Sequence, residues 1–105
     1  MMRREQEGRH MNKTEFEKKL QTEGYGEMVD REMEAGHFNP EHAHEFDACV
    51  FVVEGEITIA RNGKPEVFRA GDMCTMPAGT LHTEQCGPAG VHYLAGRRHP
   101  VKAAS

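Results

Sequence analysis

The sequence predicts an all-β, single-domain protein with one short helix near its N-terminus. Three observations carry this reading. Seven short strand-like runs follow one another between Glu27 and Ala95, each closed by turn residues. Helical periodicity is confined to the segment around Phe16 and Leu20. Asn62-Gly63 lies between apolar runs, and both residues tolerate the positive φ that a type I′ hairpin turn requires. With 105 residues, the chain has room for one core, since a domain of this size buries roughly 60–70% of its unfolded surface.

Residues 1–12 are expected to form a flexible N-terminal extension: MMRREQEGRH is charged and nearly devoid of large apolar side chains, and Met11 offers a second start. The β domain is assigned to 13–98 and a loose tail to 99–105. Thr14-Glu15-Phe16-Glu17 fits a capping box. Phe16 and Leu20 then share a helical face and Gly24 suits the C′ position, so the helix is expected to pack outside the main body. The strands are expected at Glu27–Glu34, Ala48–Val53, Glu56–Arg61, Val67–Arg69, Met73–Met76, Leu81–Cys86 and Val91–Ala95. Glu54-Gly55 and Gly87-Pro88-Ala89-Gly90 are read as turns between them. Such a series of short strands suits an antiparallel sandwich or closed barrel.

Composition narrows the function classes. Apolar residues make up 37% and charged residues 29% of the chain, and mean hydropathy is −0.72; these are values of a hydrated globular protein. The net charge of −4, with no basic cluster beyond Arg3-Arg4 and Arg97-Arg98, speaks against nucleic-acid binding through phosphates. No apolar run approaches the ~20 residues that span a bilayer, so no membrane association is expected. The odd set Cys49, Cys74 and Cys86 lacks a disulfide-scaffold spacing, and free thiols in a cytoplasmic protein are the simplest reading.

The chain's seven histidines carry the chemistry. His42 and His44 are spaced i, i+2, so on an extended strand both rings project from one face and can serve one metal ion. His82 follows the rigid turn Pro77-Ala78-Gly79. Through GHFNPEHAHEFDACVFVVEG and GDMCTMPAGTLHTEQC, the sequence resembles the cupin superfamily. Gly36, His42, His44 and Gly55 fall on the spacing of its first motif, and Gly71, Pro77, Gly79 and His82 on that of its second.

The resemblance implies a single-domain jelly-roll β-barrel with a metal held by His42, His44 and His82. The chain departs from the family pattern at two positions. Ala48 stands where the first motif has a glutamate, and Cys86 where the second has an asparagine. The implied cofactor is one divalent transition metal: iron, zinc, manganese or nickel. Three neutral imidazoles would leave it a formal charge of +2, favouring anionic ligands and making a bound water more acidic; open facial positions also suit non-haem iron.

Glu45 and Asp47 have the wrong parity to join these histidines, whereas Glu84 lies two residues beyond His82 on the same strand face. Glu84 is the candidate for weak ligation, orientation of a ligand or proton transfer. Cys86 is expected to face inward as a structural thiol, with Phe46 and Ala48 on the cavity wall. His37, His92, His10 and His99 are expected outside the site, although a favourable register would turn His92 inward. Met28, Met33, Met73 and Met76 are read as core filler.

Two functions stay open. One is a metal-dependent enzyme acting on a small anionic molecule, as a non-haem iron dioxygenase or as an isomerase or hydrolase. The other is a non-catalytic module that binds or senses a small ligand or the metal and acts through a partner. Exposed strand edges make a homodimer the expected assembly.

Overall fold

A computed structural model describes residues 12–99. The expected extension and tail therefore lie outside the described residues, apart from Asn12 and His99. One helix, α1 (Lys13–Thr22), precedes six strands: β1 (Glu27–Met33), β2 (Phe38–His42), β3 (Asp47–Arg61), β4 (Lys64–Arg69), β5 (Met73–Met76) and β6 (His82–Arg98). Among the described residues, no helix is long and apolar enough to cross a membrane.

All strand pairs are antiparallel and belong to one six-stranded sheet. The sheet folds over on itself because β3 and β6 run through both halves. In one half, the second part of β6 lies between β1 and the start of β3, which pairs with β5 on its other side. In the other half, the first part of β6 lies between β2 and the end of β3, which pairs with β4. The result is the expected all-β jelly roll. Its main core combines Val50, Val52 and Ala95 from the first half with Ile57, Ile59, Phe68 and Cys86 from the second. Burying each large aliphatic or aromatic side chain contributes about 1.5–3 kcal/mol.

The helix starts two residues earlier than the sequence pattern indicated. Asn12 is the N-cap: its side chain accepts from the Glu15 N–H, and the Glu15 carboxylate accepts from the Asn12 N–H. The capping box is thus Asn12 to Glu15 rather than Thr14 to Glu17; the two patterns overlap in this acidic stretch. At the other end, the Gly24 N–H donates to the Gln21 carbonyl and the Tyr25 N–H to the Leu20 carbonyl. Gly24 has φ +79°, which makes this a Schellman stop at the expected glycine. Phe16, Leu20 and Tyr25 pack with Cys49, Phe51 and Leu94 on the outside of the sheet, and Phe16 stacks on Phe51 with ring centroids 5.1 Å apart.

Two expected turns prove to be bends within continuous strands. Gly55 lies inside β3, and residues 87–90 lie inside β6. The register shifts between Gly55 and Ile57, leaving residues 87–90 opposite Glu56 alone. Gly55 and Gly90 both have positive φ, and their backbones approach so closely that a Cβ on Gly55 would meet the Gly90 carbonyl. A glycine that permits a turn also permits a bulge, and here the long pairing of β3 with β6 selects the bulge. The Asn62-Gly63 hairpin forms as expected, with φ +53° and +79°. Met28 is 44% exposed, so it is not core filler; its parity on β1 turns it outward, away from Val29.

Candidate metal centre

His42 is the last residue of β2 and His82 the first of β6, and the two are direct cross-strand partners. β2 was not evident in the sequence, because Pro40 and a register shift between Asn39 and His42 interrupt its alternation. The expected placement of His42 and His44 on one strand is therefore corrected: His44 lies in the loop after β2. That loop is fixed instead by the turn that precedes His82. The Gly79 N–H donates to the His44 carbonyl at 2.9 Å, and the Ala78 N–H to Asp47 Oδ1 at 2.8 Å.

These constraints bring the three rings together. Their centroids are 4.4 Å apart for His42 and His82, 4.9 Å for His42 and His44, and 5.4 Å for His44 and His82. Glu84 completes the group. Each of His42, His44, His82 and Glu84 offers one ligand atom, and all four atoms lie within 4.8 Å of one another. Two nitrogen or oxygen atoms sharing an ion at about 2.1 Å are at most about 4.2 Å apart, so the widest pair would close by roughly half an ångström.

Hydrogen bonds define which atoms are available. His42 Nδ1 lies 2.7 Å from the Pro40 carbonyl, and His82 Nδ1 2.9 Å from the Thr80 carbonyl. Each carbonyl requires a donor, so Nδ1 carries the proton and Nε2 presents its lone pair. His82 Nε2 then faces Glu84 Oε2 at 3.2 Å. A proton or a metal ion can bridge these two atoms, and with His82 only 1% exposed they form a donor set suited to a cation between them. The residues present therefore fit a metal ion.

Neighbouring groups tune the set. Asn39 donates to Glu84 Oε1 at 2.7 Å and accepts at its own Oδ1 from His37 Nε2 at 2.9 Å. This chain orients the carboxylate from behind. Burial, followed by the neighbouring His42 and His82, holds the His44 pKa below its ordinary value and favours the neutral ring that a metal needs. His44 also stacks on Phe46, with centroids 4.7 Å apart, and the Arg97 guanidinium lies over the Phe46 ring, 4.7 Å from its centroid.

A cavity of about 330 Å³ adjoins the cluster, at the small end of the range for ligand sites. Ala48, Val50, Met76 and Ala95 give it an apolar wall, while Tyr93, Arg31 and Arg97 add polar groups. Burial first, then the charge of Glu84, raises the Tyr93 pKa, so its phenol stays protonated near neutrality.

The sequence-derived candidates His42, His44, His82 and Glu84 thus meet in space, and Phe46 and Ala48 line the cavity as expected. Asp47 instead binds Ala78 and Arg98, and Glu45 is exposed. His92 bonds to Asp30 at 2.7 Å rather than entering the cavity. Cys49, Cys74 and Cys86 are unpaired and buried; burial pushes the Cys49 thiol up to about 11 and Cys74 to about 12. The sequence reading missed His37, Asn39, Tyr93, Arg31 and Arg97. For Arg31 the signal was present, since it shares its parity with Val29 and Met33.

A family model described as the cupin domain matches residues 29–87. No curated protein matches the chain by sequence. Among solved structures, an RmlC-like cupin from Shewanella frigidimarina is 27% identical, with a TM-score of 0.63 over 71% of this chain and 67% of that one. KdgF from Halomonas sp. is 21% identical, with a TM-score of 0.60 over 70% of this chain and 68% of that one. The DMSP lyase DddQ from Ruegeria pomeroyi is 24% identical, with a TM-score of 0.65 over 73% of this chain but 40% of its own. The last two likenesses bear on the fold alone.

Proposed function

The chain belongs to the cupin superfamily, and from this we propose that it is a metal-binding member whose cavity takes a small anionic molecule beside the metal. His42, His44 and His82 would hold one divalent transition metal, with Glu84 as fourth ligand or as a proton-transfer group. The observation that carries this reading is the facing of His82 Nε2 and Glu84 Oε2 at 3.2 Å inside the three-histidine cluster.

Glu84 reaches the cluster from β6, whereas the family glutamate would come from the position held by Ala48. If Glu84 ligates, the formal charge of the site falls from +2 to +1. If it stays beside the metal, it accepts a proton at Oε2 while Asn39 holds Oε1. Tyr93 supplies a protonated phenol on the same cavity wall. When bound, the metal would supply Lewis acidity, or with iron a centre for dioxygen chemistry.

Elemental analysis after tag-free purification should find one ion per chain, and His42→Ala should abolish it. A wild-type protein that stays metal-free at saturating zinc, manganese, nickel and iron would overturn the site. Oxygen uptake by iron-loaded protein across a panel of small acids tests the dioxygenase assignment; a flat response favours a non-catalytic binding module. Among the described residues β1 has one edge without a partner strand, which supports a homodimer, and sedimentation equilibrium at two concentrations tests it; the free thiols fit a cytoplasmic setting.

A further inference from the structure

Resting on that reading of the metal site, we propose that the cavity is built for a small dicarboxylate, with one end at the metal cluster and the other on Arg31. Arg31 stands on β1 with Val29 and Met33, and all three line the cavity. Its cross-strand partner is Tyr93, also on the cavity wall. Of the acidic neighbours of Arg31 in the chain, Asp30 has the opposite parity and is engaged by His92, whereas Glu32 also borders the cavity without reaching ion-pair distance of Arg31.

The other described arginines each have a carboxylate. Arg61 pairs with Glu66, Arg69 with Glu56, Arg97 with Glu27 and Arg98 with Asp47. Among the described residues, Arg31 has no carboxylate within ion-pair distance. It is exposed at the rim, with its guanidinium free to receive one. The planar fork of arginine matches a carboxylate with two parallel N–H···O bonds.

Size and lining set the rest of the ligand. A volume of about 330 Å³ equals the liquid share of about eleven waters, which limits the occupant to about ten non-hydrogen atoms. Ala48, Val50 and Ala95 give the same cavity an apolar wall that suits a short carbon chain. A carboxylate with an adjoining hydroxyl or keto oxygen would face the metal, and a second carboxylate would reach the rim.

The test uses zinc-loaded full-length protein whose metal content is measured first. Calorimetric titration compares L-malate with L-lactate, which has the same 2-hydroxycarboxylate head but lacks the second carboxylate. Malate should bind at least tenfold more tightly. Arg31→Gln should bring malate down to the lactate level while zinc content and lactate affinity stay unchanged, and Arg31→Lys should keep part of the preference. Equal affinity for the two acids, no binding of either, or an Arg31→Gln variant with wild-type malate affinity would overturn the dicarboxylate assignment while leaving the metal site standing. Protein that holds no zinc would overturn both.

Discussion

Asn39 and Glu84 are register partners across β2 and β6, and the Asn39 amide donates to Glu84 Oε1 at 2.7 Å. This bond leaves Oε2 turned toward His82. The carboxylate is thereby positioned by a residue that hydrogen-bonds to Glu84 and His37 and to none of the three histidines.

Removing that support should weaken metal binding without removing a histidine ligand. Asn39→Leu is expected to lower zinc affinity about 10–100-fold while one-to-one binding persists at saturating metal. Competition against a chelator of known affinity measures the change. Unaltered affinity would show that the Asn39 bond does not position Glu84 for the ion.

The two bulged strands make a sharp prediction about glycine. Gly55→Ala puts a Cβ against the Gly90 carbonyl at a positive φ, combining backbone strain with an overpacked contact. A loss of about 3 kcal/mol or more is expected. Gly63→Ala shares the positive φ but meets nothing within 4 Å, so its loss should be about 1–2 kcal/mol. Urea unfolding of both variants separates steric from conformational cost; equal losses would contradict the close approach.

Asp47 gives the fold an acid-sensitive tie. The Ala78 N–H, then Arg98, hold its pKa below the ordinary value. A group depressed in the folded state contributes stability above its unfolded pKa of about 4. That contribution is lost as pH falls through the lower folded value. The difference in Tm between pH 7 and pH 3 should therefore be smaller in Asp47→Asn than in wild type, and an identical difference would remove Asp47 from the account of acid unfolding.

Much of this arrangement was legible because parity on a strand is a strict rule. It singled out Glu84, two residues beyond His82 on β6; the same count from His44 to Asp47 had no strand beneath it, and Asp47 is held away by Ala78 and Arg98. The Asn62-Gly63 turn was equally explicit, since few residue pairs accept two positive φ values. Glycine was ambiguous at Gly55 and Gly90: its freedom allows a turn or a bulge, and only the partner strand decides. β2 escaped notice because Pro40 breaks the local pattern and its pairing lies with residues forty or more positions away, as the bond between Asn39 and Glu84 shows. Asn39 itself carried no periodic signal; its role comes from the partner that the fold brings to it.

The ladder between β3 and β6 also has a direction in time. Its closest pair along the chain, Arg61 with His82, closes a loop of roughly twenty residues, whereas the Asp47–Arg98 pair closes one of 51. The difference in closure entropy is only about 0.8 kcal/mol, but it favours zipping from the His82 end. Of the metal-binding group, His82 is then set in place first, and the clasp between Asp47 and Arg98 is the last rung of the ladder.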